Sequence, residues 1–151
     1  MESERFPEAL ADTLAAVQRL IRRSLRSNTT GPRLRGAEVD LLRLLDARPG
    51  IGVSDAAKFL YLAGNSVSTL VNQLARDGYL IRETDPADRR AARLLPTPAA
   101  KTRLRDWEQR RAALVRRQVA RLDEAERTAL EAALPALRKL AANLHEEAEE
   151  T

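Results

Sequence analysis

Apolar residues at Phe6, Leu10, Leu14, Val17, Ile21 and Leu25 recur at steps of three and four. That is the spacing of one helix face, and it predicts a first amphipathic helix over 5–26. The run Ser27-Asn28-Thr29-Thr30-Gly31-Pro32 ends it, since small polar residues, glycine and proline favour turns. Val39, Leu41, Leu42, Leu44 and Leu45 give a second helix, closed by Arg48-Pro49-Gly50. After a short extended Ile51-Gly52-Val53 piece, Ser54 is suited to cap a third helix reaching about Leu62, followed by a break at Ala63-Gly64. The next helix, about Asn65 to Asp77, carries Val67, Leu70, Val71 and Leu74 on one side. Its other side is Asn65, Thr69, Asn72, Gln73 and Arg76, flanked by Ser66 and Ser68, and Gly78 stops it.

After Gly78 the helical spacing stops. Tyr79 to Thr84 and Ala92 to Leu95 read as two short strands, joined by the charged, turn-rich Asp85-Pro86-Ala87-Asp88-Arg89-Arg90. Thr97-Pro98 is a cap and first-position pair opening a long helix with Leu104, Trp107, Leu114, Val115 and Val119. Asp123 caps a last helix bearing Leu130, Leu134, Leu137, Leu140 and Leu144, in which Pro135 is expected to form a kink. The predicted fold is mainly α with a small β-hairpin wing: four helices, a hairpin with a basic tip, then two helices.

Composition narrows the chemistry. Aromatics make up only 3% of a chain that is 44% apolar, so Leu, Ala and Val dominate and an all-β core is disfavoured. With no cysteine and one histidine, His145, disulfides, zinc knuckles and thiol redox chemistry are excluded, and neither a metal nor a cofactor is expected. There is no glycine-rich phosphate loop and no nucleophile pair, so the chain is not expected to be an enzyme. No apolar run approaches the ~18 residues that span a bilayer, and Glu2, Glu4 and Pro7 are unlike a signal peptide; the expected compartment is the cytoplasm. Lysine occurs only at Lys58, Lys101 and Lys139, and this dominance of Arg, with abundant Ala, points to a GC-rich bacterial genome.

The net charge is only +4, but it is unevenly placed. Tyr79 to Arg105 holds seven basic and three acidic side chains, which suggests a polyanionic partner. Ala16 to Arg35 holds six arginines and no acid, and reads equally as a solvated helix face or a second basic surface. Glu146, Glu147, Glu149 and Glu150 make the end acidic.

A short helix, a tight turn, a helix with a polar outer stripe and a basic hairpin form the order of a winged helix-turn-helix. Asn, Gln, Ser and Thr both donate and accept hydrogen bonds and can match base edges in the major groove. Arginine at a loop tip suits phosphate or a narrow minor groove. The run from Gly64 through Leu80 and the stretch Asp85-Pro86-Ala87-Asp88-Arg89-Arg90-Ala91-Ala92-Arg93-Leu94 resemble the recognition helix and wing signature of the MarR family of transcriptional regulators.

The resemblance implies one domain over 1–151, with a winged helix-turn-helix lobe at 34–96 and dimerisation helices at 5–26 and 98–145. It implies a sequence-specific regulator, more often a repressor, that binds double-stranded DNA at a pseudo-palindromic operator as a homodimer and is released by a small-molecule effector. DNA contacts would come from Asn65, Ser66, Ser68, Thr69, Asn72, Gln73 and Arg76 on the helix, and from Asp88, Arg89 and Arg90 on the wing. Arg90 would enter the minor groove with its guanidinium held by Asp88, and Arg89 would take a phosphate; the alternative is that Asp88 and Arg90 only stabilise the turn. Effectors would sit in the cleft between the dimer helices and the lobe, and the missing cysteines argue against peroxide sensing. A helical protein-interaction module on the same fold is the competing function. Trp107 is read as a packed indole or an interface anchor, and His145 as exposed.

Three positions depart from the family. Ala63 stands where a capping Ser is common, which would move the cap to Gly64 or Asn65; Pro96 would shorten the second strand; and Arg35-Gly36 offers no Ser or Thr to start the second helix.

Overall fold

The computed structural model describes residues 5–26 and 34–150. The predicted stop at Ser27 to Pro32, together with Glu2 and Glu4, lies outside them. The elements run α1 (Phe6–Arg26), α2 (Gly36–Ala47), α3 (Val53–Leu60), α4 (Gly64–Arg76), β1 (Leu80–Thr84), β2 (Ala92–Pro96), α5 (Pro98–Val119) and α6 (Glu124–Glu150). They divide into two compact bodies, residues 1–111 and 112–151.

The core of the first body is the apolar stripe of α2 closed over by its neighbours. Leu41, Leu42 and Leu45 of α2, Ala56 of α3, Val67 and Leu74 of α4, Leu94 of β2 and Ala100 of α5 are fully buried, with Leu104 nearly so. The hairpin is held to the core through Leu80 of β1 and Leu94 of β2. β1 and β2 pair antiparallel with Arg82 opposite Leu94 and Leu80 opposite Pro96. Pro96 therefore ends the strand without shortening it, because a strand terminus does not need its N–H. Ile51 adds one bridge to Leu94 on the outer side of β2, and Leu94 N–H donates to Ile51 O at 3.0 Å.

Several boundaries move for identifiable reasons. Ser54 is not the cap of α3; Gly52 takes that place with extended backbone, and Val53 is already helical. The turn between α3 and α4 is made by Tyr61, in the left-handed region at φ 53°, and Gly64 lies inside α4. Ala63 keeps the cap position of α4 without a side-chain hydrogen bond, so the cap does not shift to Gly64 or Asn65. Gly78, at φ 79°, turns the chain out of α4 as predicted, and the strand begins at Leu80, with Tyr79 buried just before it. Gly50, at φ 89°, also lies under the Arg93 guanidinium, where a Cβ would come within 2.6 Å of it.

Two helix starts are built by side chains. Thr97 Oγ1 accepts the Ala100 amide at 3.2 Å and donates to Gly78 O at 2.7 Å, fastening α5 to the end of α4. Glu38, in the first turn of α2, is buried and accepts the backbone N–H of Arg35, the cap residue. The carboxylate thus supplies one half of a capping box, taking the amide of the cap residue, while no side chain of Arg35 takes the first-turn amides that a Ser or Thr would. Burial pushes its pKa up, partly opposed by that hydrogen bond and by the charge of Arg35.

In the second body α5 ends at Val119 and α6 starts with a reciprocal capping box: Asp123 Oδ1 accepts the Glu126 amide at 2.8 Å and Glu126 Oε1 accepts the Asp123 amide at 3.1 Å. Pro135 is accommodated inside one continuous α6. No residue of α6 is buried, and Leu130, Leu134 and Leu144 are about half exposed. On α1, in the first body, Phe6, Leu14, Val17 and Leu20 are similarly exposed. No helix among the described residues is long and apolar enough to cross a membrane.

Candidate nucleic-acid interface

The helix-turn-helix is positioned from below. Val67, Val71 and Leu74 anchor α4 in the core, so with ~100° per residue the opposite stripe must face outward. Asn65, Ser66, Ser68, Thr69, Asn72, Gln73 and Arg76 are all exposed, as the sequence pattern predicts. Not all of these side chains are idle. Thr69 Oγ1 donates back to Asn65 O at 3.0 Å, Gln73 Nε2 donates to both oxygens of Asp77, and Asn72 Oδ1 accepts a guanidinium N–H of Arg82.

Arg82, on β1, is a residue the sequence pattern does not single out. It lies on the same side of the hairpin as Leu80, two residues before it, and its cross-strand neighbour Leu94, and is exposed where that side reaches α4.

The wing loop owes its shape to two carboxylates. Asp85 Oδ1 accepts the Ala87 amide at 2.9 Å and Asp88 Oδ1 accepts the Arg90 amide at 3.0 Å, each closing a short Asx turn. The Asp85 amide donates to Ala91 O at 3.0 Å and closes the loop at its base. Asp88 thus holds the backbone of Arg90 rather than its guanidinium. Asp88, Arg89 and Arg90 are exposed together at the tip.

A second site lies where α1, α2 and α5 of the first body meet. A cavity of about 610 Å³ is lined by Arg22 and Arg26 of α1, Arg35 and Arg43 at α2, and Arg103 and Trp107 of α5, with Asp40 the acid among its lining residues. Arg22 and Arg26 share a face through their four-residue spacing, and they belong to the basic run already visible in the sequence.

Trp107 is clasped by two cations, the guanidinium of Arg43 at 4.6 Å and that of Arg111 at 4.7 Å from the ring centroid. Arg43 is the unusual member. Its Nε and Nη2 are buried without a hydrogen-bond partner, and Glu108 approaches Nε only to 4.0 Å, too far for a hydrogen bond. Burial, then the charge of Arg111, lower its pKa, so the charged form is held at a cost. Nothing in the sequence marks Arg43, because its place among the leucines of α2 is compatible with an outward surface position. Among the described residues no cluster of His, Cys, Asp or Glu is arranged to hold a metal ion.

Residues 34–91 match the model of the MarR family. No curated protein matches the chain by sequence. Among solved structures, FabT of Streptococcus pneumoniae in complex with DNA is 22% identical, with a TM-score of 0.72 over 94% of this chain and 99% of that one. A MarR family protein of Bacillus stearothermophilus is 18% identical, with a TM-score of 0.74 over 93% and 96%. BpsR of Bordetella bronchiseptica, whose DNA binding is regulated by 6-hydroxynicotinic acid, is 20% identical, with a TM-score of 0.66 over 93% and 96%. At these identities the likeness is one of fold: a winged helix with flanking helices.

Proposed function

We propose that the chain is a MarR-like DNA-binding transcriptional regulator: residues 34–91 match that family's model, and the fold is similar to that of a MarR family protein. The observation that carries the proposal is that the polar face of α4 and the Asp88-Arg89-Arg90 tip of the hairpin packed on it are both exposed on one lobe. Together they offer base readout and phosphate or minor-groove contact on one lobe. The uncapped amides at the start of α4 are a further place for a phosphate.

The exposed leucines of α6 and the apolar face of α1 are to be covered by a second copy. A C2 dimer then presents two recognition helices about 10 base pairs apart and binds a pseudo-palindrome. Repression is the proposed sign of regulation, with release when a small molecule enters the arginine-lined cavity. Its guanidinium groups and the flat face of Trp107 suit a planar anion, and its volume suits a small ligand.

Fluorescence anisotropy on a pool of duplexes tests the DNA reading. Six to ten phosphate contacts predict a loss of roughly 10³ to 10⁵ in affinity between 50 and 200 mM salt. Arg90→Ala should weaken binding without lowering the melting temperature. A flat salt response, or an Arg90→Ala protein that melts early yet still binds, refutes the proposal and leaves the wing as a plain turn.

A further inference from the structure

The outward face of α4 is tied at two points, and the chemistry of each tie dictates which end of an amide is on offer. Arg82 donates to Asn72 Oδ1, and Gln73 Nε2 donates to Asp77 Oδ1 and Oδ2 at 3.3 and 3.2 Å. A guanidinium has only donors and an ionised carboxylate only acceptors, so neither amide can be turned round without losing its partner. Each tie has one charged member, which makes it stronger than a neutral pair. Asn72 therefore turns its oxygen to β1, and Gln73 turns its NH₂ group toward the end of α4. What remains on the outward face is a donor at 72 and an acceptor at 73.

We propose that Arg82 and Asp77 preset the hydrogen-bonding polarity of the recognition helix, so that Asn72 reads an acceptor and Gln73 a donor in the major groove. The proposal rests on the DNA-binding reading above and adds to it a specificity-determining pair outside the helix face. Unrestrained Asn or Gln pairs with adenine through both ends of the amide at once. With its oxygen held by Arg82, Asn72 loses the two-ended match to adenine and offers its NH₂ group alone, to an acceptor such as guanine N7 or O6, thymine O4 or adenine N7. Gln73, with its NH₂ group held by Asp77, is matched to cytosine N4 or adenine N6. Arg82 and Asp77 act here as positioning residues.

The experiment is selection from a pool of duplexes with a randomised central segment, using the full chain as wild type, Arg82→Ala, Arg82→Lys and Asp77→Ala, with melting temperatures measured in parallel. Arg82→Ala should shift one position in each half-site toward adenine, with discrimination there changing about fivefold, the worth of one hydrogen bond, and other positions unchanged. Arg82→Lys keeps a donor and should keep the wild-type preference. Asp77→Ala should relax a different position. If Arg82→Ala lowers affinity equally for every sequence and leaves the base profile intact, Arg82 is a phosphate contact and the proposal fails while the DNA-binding reading stands. If the wild type enriches no sequence, both fail.

Discussion

Arg43→Met separates stability from ligand binding in the arginine-lined cavity. The wild-type guanidinium buries Nε and Nη2 without hydrogen bonds. Each such group costs about 1–3 kcal/mol, or roughly 2–6 kcal/mol for the two. Against this stand the stacking on Trp107, about 0.5–2 kcal/mol, and a long contact to half-exposed Glu108 worth at most about 1 kcal/mol. Methionine keeps most of the aliphatic stem against the indole and leaves no buried donor unpaired. Taken at their midpoints, these contributions favour the variant by about 2 kcal/mol, a rise in melting temperature of about 4–8 °C for a chain of this size.

Thermal melts followed by circular dichroism, with and without benzoate as a planar anionic probe, read both consequences. The free variant should melt higher than wild type, and any stabilisation that benzoate gives the wild type should shrink or vanish. A variant melting lower by 1 kcal/mol or more would show that the guanidinium is a net stabiliser. The reasoning that its two unpaired nitrogens cost more than its stacking contributes would then be refuted.

Three further outcomes test the fold directly. Leu45→Ala removes a fully buried side chain from the centre of the first body and should cost about 2–5 kcal/mol in urea unfolding. Glu38→Gln keeps an acceptor for the Arg35 amide but carries no charge. Because burial raises the Glu38 pKa in the folded chain, the native state binds the proton more tightly, and stability is lost as pH rises from 4.5 through the folded value. The Gln variant should therefore gain on wild type above that range and not below it, as melts from pH 4 to 8 would show. Asp123→Ala removes one half of the capping box and should cost about 1 kcal/mol, read as earlier loss of helical signal; an unchanged melt would mean that Glu126 alone suffices.

The parts of this protein that depend on near neighbours in the chain were legible in its sequence. The period-three-and-four stripe of α4, the short runs of β1 and β2 either side of a turn-rich loop and the Thr97 and Asp123 starts follow from local geometry alone, and each lies within a residue or two of its predicted place. The same periodicity selected the exposed side chains of α4. It failed where a position is set by something across the core. Tyr61 takes the left-handed turn that favours a glycine, its amide closing the end of α3 on Ala57 O and Lys58 O. Ser54 gives up the cap to Gly52 because the chain leaves its bridge to Leu94 two residues earlier.

Only the tertiary structure decided which charged side chains meet. Arg82 reaches Asn72 because β1 is laid beside α4, and Arg43 loses its water because α5 brings Trp107 over it. Sequence pattern tells whether an arginine faces in or out. Whether that arginine then fixes a neighbouring amide or stacks on an indole with two nitrogens left without hydrogen bonds depends on which element is folded against it, because a guanidinium nitrogen loses its solvation only where another surface covers it.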